Sequence, residues 1–380
     1  MKQQKKTCLF FSEREKRDAA PMLIPFFLFL LILVLCFFLM SRRERFTPLD
    51  AGDKPIDAVI TWVDGSRLRE QIRRFGAYDY GRFDSNDEIR FCLRALEKNC
   101  PFLRRVFLVV HDDGHKPRFL REKHYQLTVI PHSAIMPVKN LPTFNSMAIE
   151  NYLHRIKGLS EYFIYFNDDM IVTERLDPSF FFTKAMLPIQ TRDTVHRLPK
   201  TTSSLFWKKG AGGTPVVRNR DVFDHDFRLK DVIRQNNEIL DVWFGRAERW
   251  RTAHIPYACR RSFLVSLDEA LKGLDAGRGR SLYEETGAAR FRSLRTIARY
   301  SFFKKYWDMH VYGCPEEIRP ILAIDITENR CPVELLSSGK YPTVVLHNRV
   351  PSETEPVRAC FRRVHEALVG LFPEPSTFEN

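Results

Sequence analysis

Four short strand-like runs constrain this chain more than any other feature: Ile56–Val63, Val106–Val110, Leu127–Ile130 and Tyr162–Phe166. They are rich in β-branched and aromatic residues, and Val106–Val110 is apolar throughout. Helical signals lie between them. Ser85-Asn86-Asp87-Glu88 has the S-x-x-E capping pattern, followed by Ile89, Leu93 and Leu96 at helical spacing and a stop near Asn99, before Pro101. Asn145 or Ser146 caps a second predicted helix whose apolar face is Ile149, Leu153 and Ile156, closed by Gly158. Strands alternating with helices predict an α/β domain built on a mostly parallel sheet covered on both faces. Ligands of such sheets bind at the carboxyl ends of the strands. Here two strands end in acids, at Asp64 and at Asp168-Asp169.

Beyond residue 200 the pattern is less regular. Leu229–Phe244 and Ser262–Leu271 read as helices, and the basic, aromatic stretch Arg290–Tyr306 reads as a third. Pro21–Met40 carries no charge and has the length that spans a bilayer as a helix. Ser-Arg-Arg-Glu-Arg follows it where a signal peptide would carry small residues. Six Lys/Arg precede the run (Lys2, Lys5, Lys6, Arg14, Lys16, Arg17) and three follow closely (Arg42, Arg43, Arg45). The positive-inside rule therefore predicts a single-pass type II protein, with a tail at 1–20, a span at 21–40 and a stem at 41–55. The formal charge of +13 favours anionic partners without choosing among nucleic acid, lipid and phosphorylated small molecules. No cysteine pair has C-x-x-C spacing, so a thiolate metal centre is not expected. Cys314–Cys331 is the first disulfide to test, and Cys92 reads as a buried thiol.

Candidate chemistry starts at Asn167-Asp168-Asp169. Adjacent carboxylates at a strand end are hard ligands for a divalent cation, although Asn and Asp are also ordinary turn residues. His254 offers an imidazole suited to taking a proton from a hydroxyl near neutral pH, and equally suits a structural role. Arg290 and Arg292 match phosphate oxygens in fork geometry, or else form a solvated basic face. Lys208-Lys209-Gly210-Ala211-Gly212-Gly213 lacks the order of a phosphate-binding loop and reads as a flexible one.

Together these segments resemble the Stealth family of hexose-1-phosphate transferases. Ile56-Asp57 through Trp62-Val63-Asp64-Gly65 is similar to its first region. Asn86-Asp87-Glu88 with Arg90 and Arg94, then Leu141–Ser146, Ala148-Ile149-Glu150, His154-Arg155-Ile156 and Tyr162–Met170, is similar to the second. His254-Ile255-Pro256-Tyr257, with Glu284, Glu285 and Arg290-Phe291-Arg292, is similar to the third. The fourth is faint, around Ile324-Asp325 and Asn329, and Ala134 stands where the family often has an acid or amide.

The resemblance implies a Rossmann-like or GT-A-like sheet with helical additions, a catalytic domain at 56–365 and a C-terminal tail at 366–380. It implies transfer of a sugar-1-phosphate from a nucleotide-diphosphate sugar, of the UDP-N-acetylglucosamine or GDP-mannose type. The acceptor is a hydroxyl of a glycan on a glycoprotein, a glycolipid or a phosphoglycan, and a nucleoside monophosphate leaves. His254 would be the base. Arg292 and Arg290 would stabilise the diphosphate, and Asp168 and Asp169 would hold Mg or Mn or else position the acceptor, with Asn167 supporting. Asp64, Arg90 and Arg94 would contact the donor. The type II layout further implies a Golgi lumenal domain. Two other readings remain open at this level: a metal-dependent glycosyltransferase releasing the nucleoside diphosphate, and a basic membrane-surface or polyanion-binding protein without catalysis.

Overall fold

The computed structural model describes residues 54–75, 87–198, 207–209, 215–217, 229–275, 279–325, 332–347 and 355–380. The tail, the Pro21–Met40 run and nearly all of the stem lie outside these residues, as do Ser85, Asn86, Gly210–Gly213, Asn329 and Cys331. Among the described residues no helix is long and apolar enough to cross a membrane.

The first five strands are β1 (Ile56–Thr61), β2 (Leu103–Val110), β3 (Leu127–Pro131), β4 (Tyr162–Asn167) and β5 (Met170–Val172). Then come β6 (Gln190–Leu198), β7 (Trp207–Lys209), β8 (Pro215–Val217), β9 (Arg249–Thr252) and β10 (Tyr257–Arg260). β11 (Glu316–Ile318), β12 (Leu322–Asp325) and β13 (Thr343–His347) complete the set. The central sheet has the order β10-β4-β1-β2-β3. Its last four members run parallel, and β10 is antiparallel to β4. Ala58–Ile60, Leu108–Val110 and Phe163–Phe166 are completely buried, as strands covered on both faces must be. Each large side chain so buried contributes about 1.5–3 kcal/mol.

This topology brings several chain segments to one edge. The carboxyl ends of β1 to β4 lie together there, followed by Asp64, His111, His132 and Asp168-Asp169 respectively. Because β10 runs the opposite way, it starts at that edge, and His254 arrives three residues before it. A second sheet, β12-β13-β5, extends the same corner. There β13 is antiparallel to β5, and Leu346 N donates to Asp169 O at 3.0 Å, so His347 is delivered beside the acidic turn.

The helices are α1 (Gly65–Arg74), α2 (Glu88–Asn99), α3 (Ser146–Glu150) and α4 (Leu229–Phe244), then α5 (Arg261–Lys272), α6 (Leu282–Ala288), α7 (Lys304–Tyr312) and α8 (Glu355–Leu371). Five expectations need correction. The α2 N-cap is Asp87, with φ +68° and no side-chain cap bond; its carboxylate instead accepts from Arg90 Nε at 2.5 Å. The helix expected through Ile156 stops at Glu150, and a 3-10 turn at Leu153–Arg155 follows. Arg290–Tyr306 is not one helix either. Neighbouring groups take its backbone: Phe144 N bonds Arg290 O, Thr286 Oγ1 accepts from Ile297 N, and Asn236 Oδ1 accepts from Ala298 N. With those groups spent on tertiary partners, regular coiling resumes only at Arg299–Phe303 and α7. The boundary at 365/366 falls inside α8, and Asp50–Asn380 forms one compact unit, so the predicted tail belongs to the domain. Among the described cysteines, Cys314 is a free buried thiol rather than a partner of Cys331, and Cys360 is disulfide-bonded.

Candidate functional site

His254 lies at the middle of the edge described above. Its Nδ1 is 3.1 Å from the Tyr257 hydroxyl, and its Nε2 is 3.5 Å from Asn167 Nδ2 and 4.0 Å from Asp169 Oδ2. The Tyr165 hydroxyl donates to Asn167 Oδ1 at 2.8 Å, which turns the amide nitrogen of Asn167 toward the imidazole. Nε2 is thereby placed as the acceptor nitrogen facing the acidic turn. Burial, with help from His347, Arg251 and Arg292, pushes the imidazole down to about 3, so it is neutral near pH 7.

Asp169, His254 and His347 each offer a ligand atom, and those atoms all lie within 4.8 Å of one another. Asp169 Oδ1 is buried without a hydrogen-bond partner. Burial and the Glu88 carboxylate push Asp169 up to about 7; Asp168 is raised further by burial, by Asp169 and by Glu88. Burial together with neighbouring carboxylates thus disfavours the charged forms of Asp168 and Asp169, a cost that a bound cation would relieve. With His254 Nε2 kept for proton transfer, the His347 imidazole and the adjacent Asp168 and Asp169 carboxylates form a mixed nitrogen and oxygen donor set of the kind that divalent ions accept. These are the residues that could hold the Mg or Mn ion that the resemblance implies.

Around this group, Arg292 Nη2 donates to Ser146 Oγ at 2.7 Å. Glu150, four residues further along α3, has its carboxyl raised by burial to about 7, against the opposing pull of Arg292. On the other side, beyond Glu88, Trp62, Asp64, Arg67, Arg90, Lys116 and Arg118 line a cleft of about 410 Å³. Asp64 caps α1 there by accepting from Ser66 N at 3.1 Å. Four cationic side chains against Asp64 and Asp87 make the cleft receptive to a diphosphate.

The structure thus gathers Asn167, Asp168, Asp169, His254 and Arg292, and puts Asp64 and Arg90 in the adjoining cleft. It does not bring Arg94 there. That guanidinium donates twice to Glu379, at 2.6 and 2.8 Å, and once to Phe372 O at 2.9 Å, which makes it a clamp on the C-terminal segment. Arg290 donates to Pro142 O at 3.1 Å and stacks on Phe75, 4.0 Å from the ring centre. His347 escaped sequence reasoning, whereas Glu88 and Glu150 read only as parts of the similar segments, with no role in the site. His347 ends an apolar run, Thr343–Leu346, as Asn167 ends Tyr162–Phe166, so a usable signal was present.

Acids and imidazoles at the carboxyl edge of a mostly parallel sheet define an α/β protein of the ligand-binding kind. Residues 82–190 match the model of conserved region 2 of Stealth proteins, and the chain belongs to the Stealth family. Two exopolysaccharide phosphotransferases of Streptomyces coelicolor are similar to it. One is 36% identical over 263 residues, covering 67% of this chain and 40% of that protein. The other is 27% identical over 339 residues, covering 86% of this chain and 57% of that protein. The chain therefore spans about half the length of these relatives. A receptor polysaccharide phosphotransferase of Streptococcus oralis, WefC, is 27% identical over 360 residues, covering 85% of this chain and 99% of that protein.

Proposed function

We propose that the protein transfers a sugar-1-phosphate from a nucleotide-diphosphate sugar to a hydroxyl of an acceptor glycan, forming a phosphodiester and releasing the nucleoside monophosphate. The observation that carries this reading is the placement of His254, held by Tyr257 at Nδ1 with Nε2 turned toward Asn167 and Asp169. Family membership and the phosphotransferase names of the relatives support it.

The basic cleft at Asp64, Arg67, Arg90, Lys116 and Arg118 receives the nucleoside diphosphate portion. His254 Nε2 takes the proton of the acceptor hydroxyl as its oxygen attacks the sugar-linked phosphorus. Tyr257 and Asn167 hold the ring in orientation for that transfer. Arg292 stabilises charge that builds on the phosphoryl oxygens, and Ser146 fixes its fork. A divalent cation held by Asp169, Asp168 and His347 would neutralise the diphosphate and its leaving group. The type II anchor and a Golgi lumenal site remain part of the proposal, supported by the Pro21–Met40 run and the charges around it.

His254→Ala tests the assignment of the base. The variant should lose about 10²–10⁴-fold in kcat while retaining the cation content of the unchanged protein. Unchanged turnover would reject His254 as base. Loss of the cation along with the rate would make it a ligand instead.

A further inference from the structure

A second group of imidazoles lies at the same edge of the central sheet but belongs to different strands. His111 follows β2, His132 follows β3, and His115 lies on the 3-10 turn Asp113–His115 between them. All three are more than nine-tenths buried: 8% exposed for His111, 6% for His115 and 4% for His132. The ring of His111 is 5.2 Å from that of His115 and 5.6 Å from that of His132, centre to centre. Nδ1 of His111, Nε2 of His115 and Nδ1 of His132 are each buried without a hydrogen-bond partner. One such nitrogen is an ordinary packing cost. Three on rings that share His111 as common neighbour need a common explanation.

We propose that His111, His115 and His132 bind one zinc ion that fastens the loop 112–119 to the sheet, at a site separate from the Asp169–His254–His347 group. Three features support it. Zinc takes imidazole nitrogens at about 2.0–2.1 Å in tetrahedral array, which sets two rings about 5 Å apart, close to the separations from His111. Asp112 Oδ1 lies 3.3 Å from His115 Nδ1, the outer-shell carboxylate that fixes a metal-binding tautomer and leaves Nε2 as the donor. The same oxygen accepts from Gly114 N at 2.9 Å, so the carboxylate is itself held in place. The ligating nitrogens are not all within 4.8 Å of one another, as those of Asp169, His254 and His347 are, so binding the ion requires the His111 and His132 rings to turn toward His115 Nε2.

The position gives the ion a task. Lys116, Pro117, Arg118 and Phe119, immediately after His115, line the basic cleft, and Gly114 O accepts from Arg67 of the same cleft. Zinc at the trio is structural: it holds one wall of the cleft and touches no reacting atom.

The test is metal content rather than activity. The full, untagged chain in detergent is stripped with chelator, incubated with zinc, desalted and analysed for metal. The variant Asp169→Asn/His254→Ala/His347→Ala, which lacks the other metal-capable group, should retain about one zinc per chain, three imidazoles being a sufficient set. Adding His115→Ala, or separately His132→Gln, should lower that at least tenfold with the far-ultraviolet circular dichroism unchanged. Cobalt in place of zinc should give visible absorption bands that vanish with the same substitutions. No zinc retained in the first variant would overturn the proposal, whether or not the histidine variants fold. Retention that survives both histidine substitutions would overturn it equally.

Discussion

The Arg94–Glu379 clamp and the acidic turn beside His254 are both buried charged clusters, and their carboxyl groups are treated in opposite ways. Arg94, on α2, is saturated: Glu379 and Phe372 O occupy its fork, and Arg90 joins from one turn earlier with a 2.8 Å bond to the same carboxylate. Burial alone would raise Glu379, but the bonds from Arg94, Ser376 and Arg90 outweigh it and hold the carboxyl at about 2. Around His254 the balance is reversed. Asp168, Asp169 and Glu150 are all raised, and Asp169 Oδ1 has no hydrogen-bond partner. Charges that neutralise one another inside the fold are structural, whereas charges left at odds with their surroundings are available to a ligand.

That contrast separates rate from stability. The largest effect is the loss of turnover in His254→Ala, with thermal unfolding little changed. Next comes Arg94→Ala. Removing one partner of this buried pair should cost about 3–5 kcal/mol of stability in denaturant titrations while each folded molecule keeps its kcat. A large kcat loss with unchanged stability would return Arg94 to the donor site. Lys116→Ala is milder. It should raise the donor KM several-fold, about 1 kcal/mol, with kcat retained, because it removes one cleft charge remote from the reacting phosphorus. A further effect concerns pH and is confined to the acid limb. The folded Glu379 carboxyl is depressed from 4.5 to about 2, so its stabilisation is complete above about pH 4.5 and is lost as pH falls through about 2. Glu379→Gln should flatten that acid limb of the stability profile, and an unaltered limb would show that the clamp carries no such linkage.

Much of the framework was legible from residues alone because parallel strands advertise themselves locally. Val106–Val110 and Tyr162–Phe166 need no tertiary context to read as buried, and the acids that end β1 and β4 follow from strand direction. Helix α4 was read to its exact ends, since Val232, Ile233, Ile239 and Leu240 form a periodic buried face. The remainder depended on partners distant in sequence. Arg290–Ala298 has helix-forming residues, yet its backbone is claimed by Phe144, Thr286 and Asn236. Arg94 faces Glu379, 285 positions away, and no local pattern reports that pairing. His347 reaches Asp169 only because β13 pairs with β5.

The central claim is that phosphorus, rather than the anomeric carbon, is attacked beside His254. Incubating the full protein with nucleotide-sugar and acceptor glycan, and identifying the nucleotide released, tests it most directly. Nucleoside monophosphate together with a phosphodiester in the product is the predicted result. Nucleoside diphosphate with a phosphate-free glycosidic product would contradict the account.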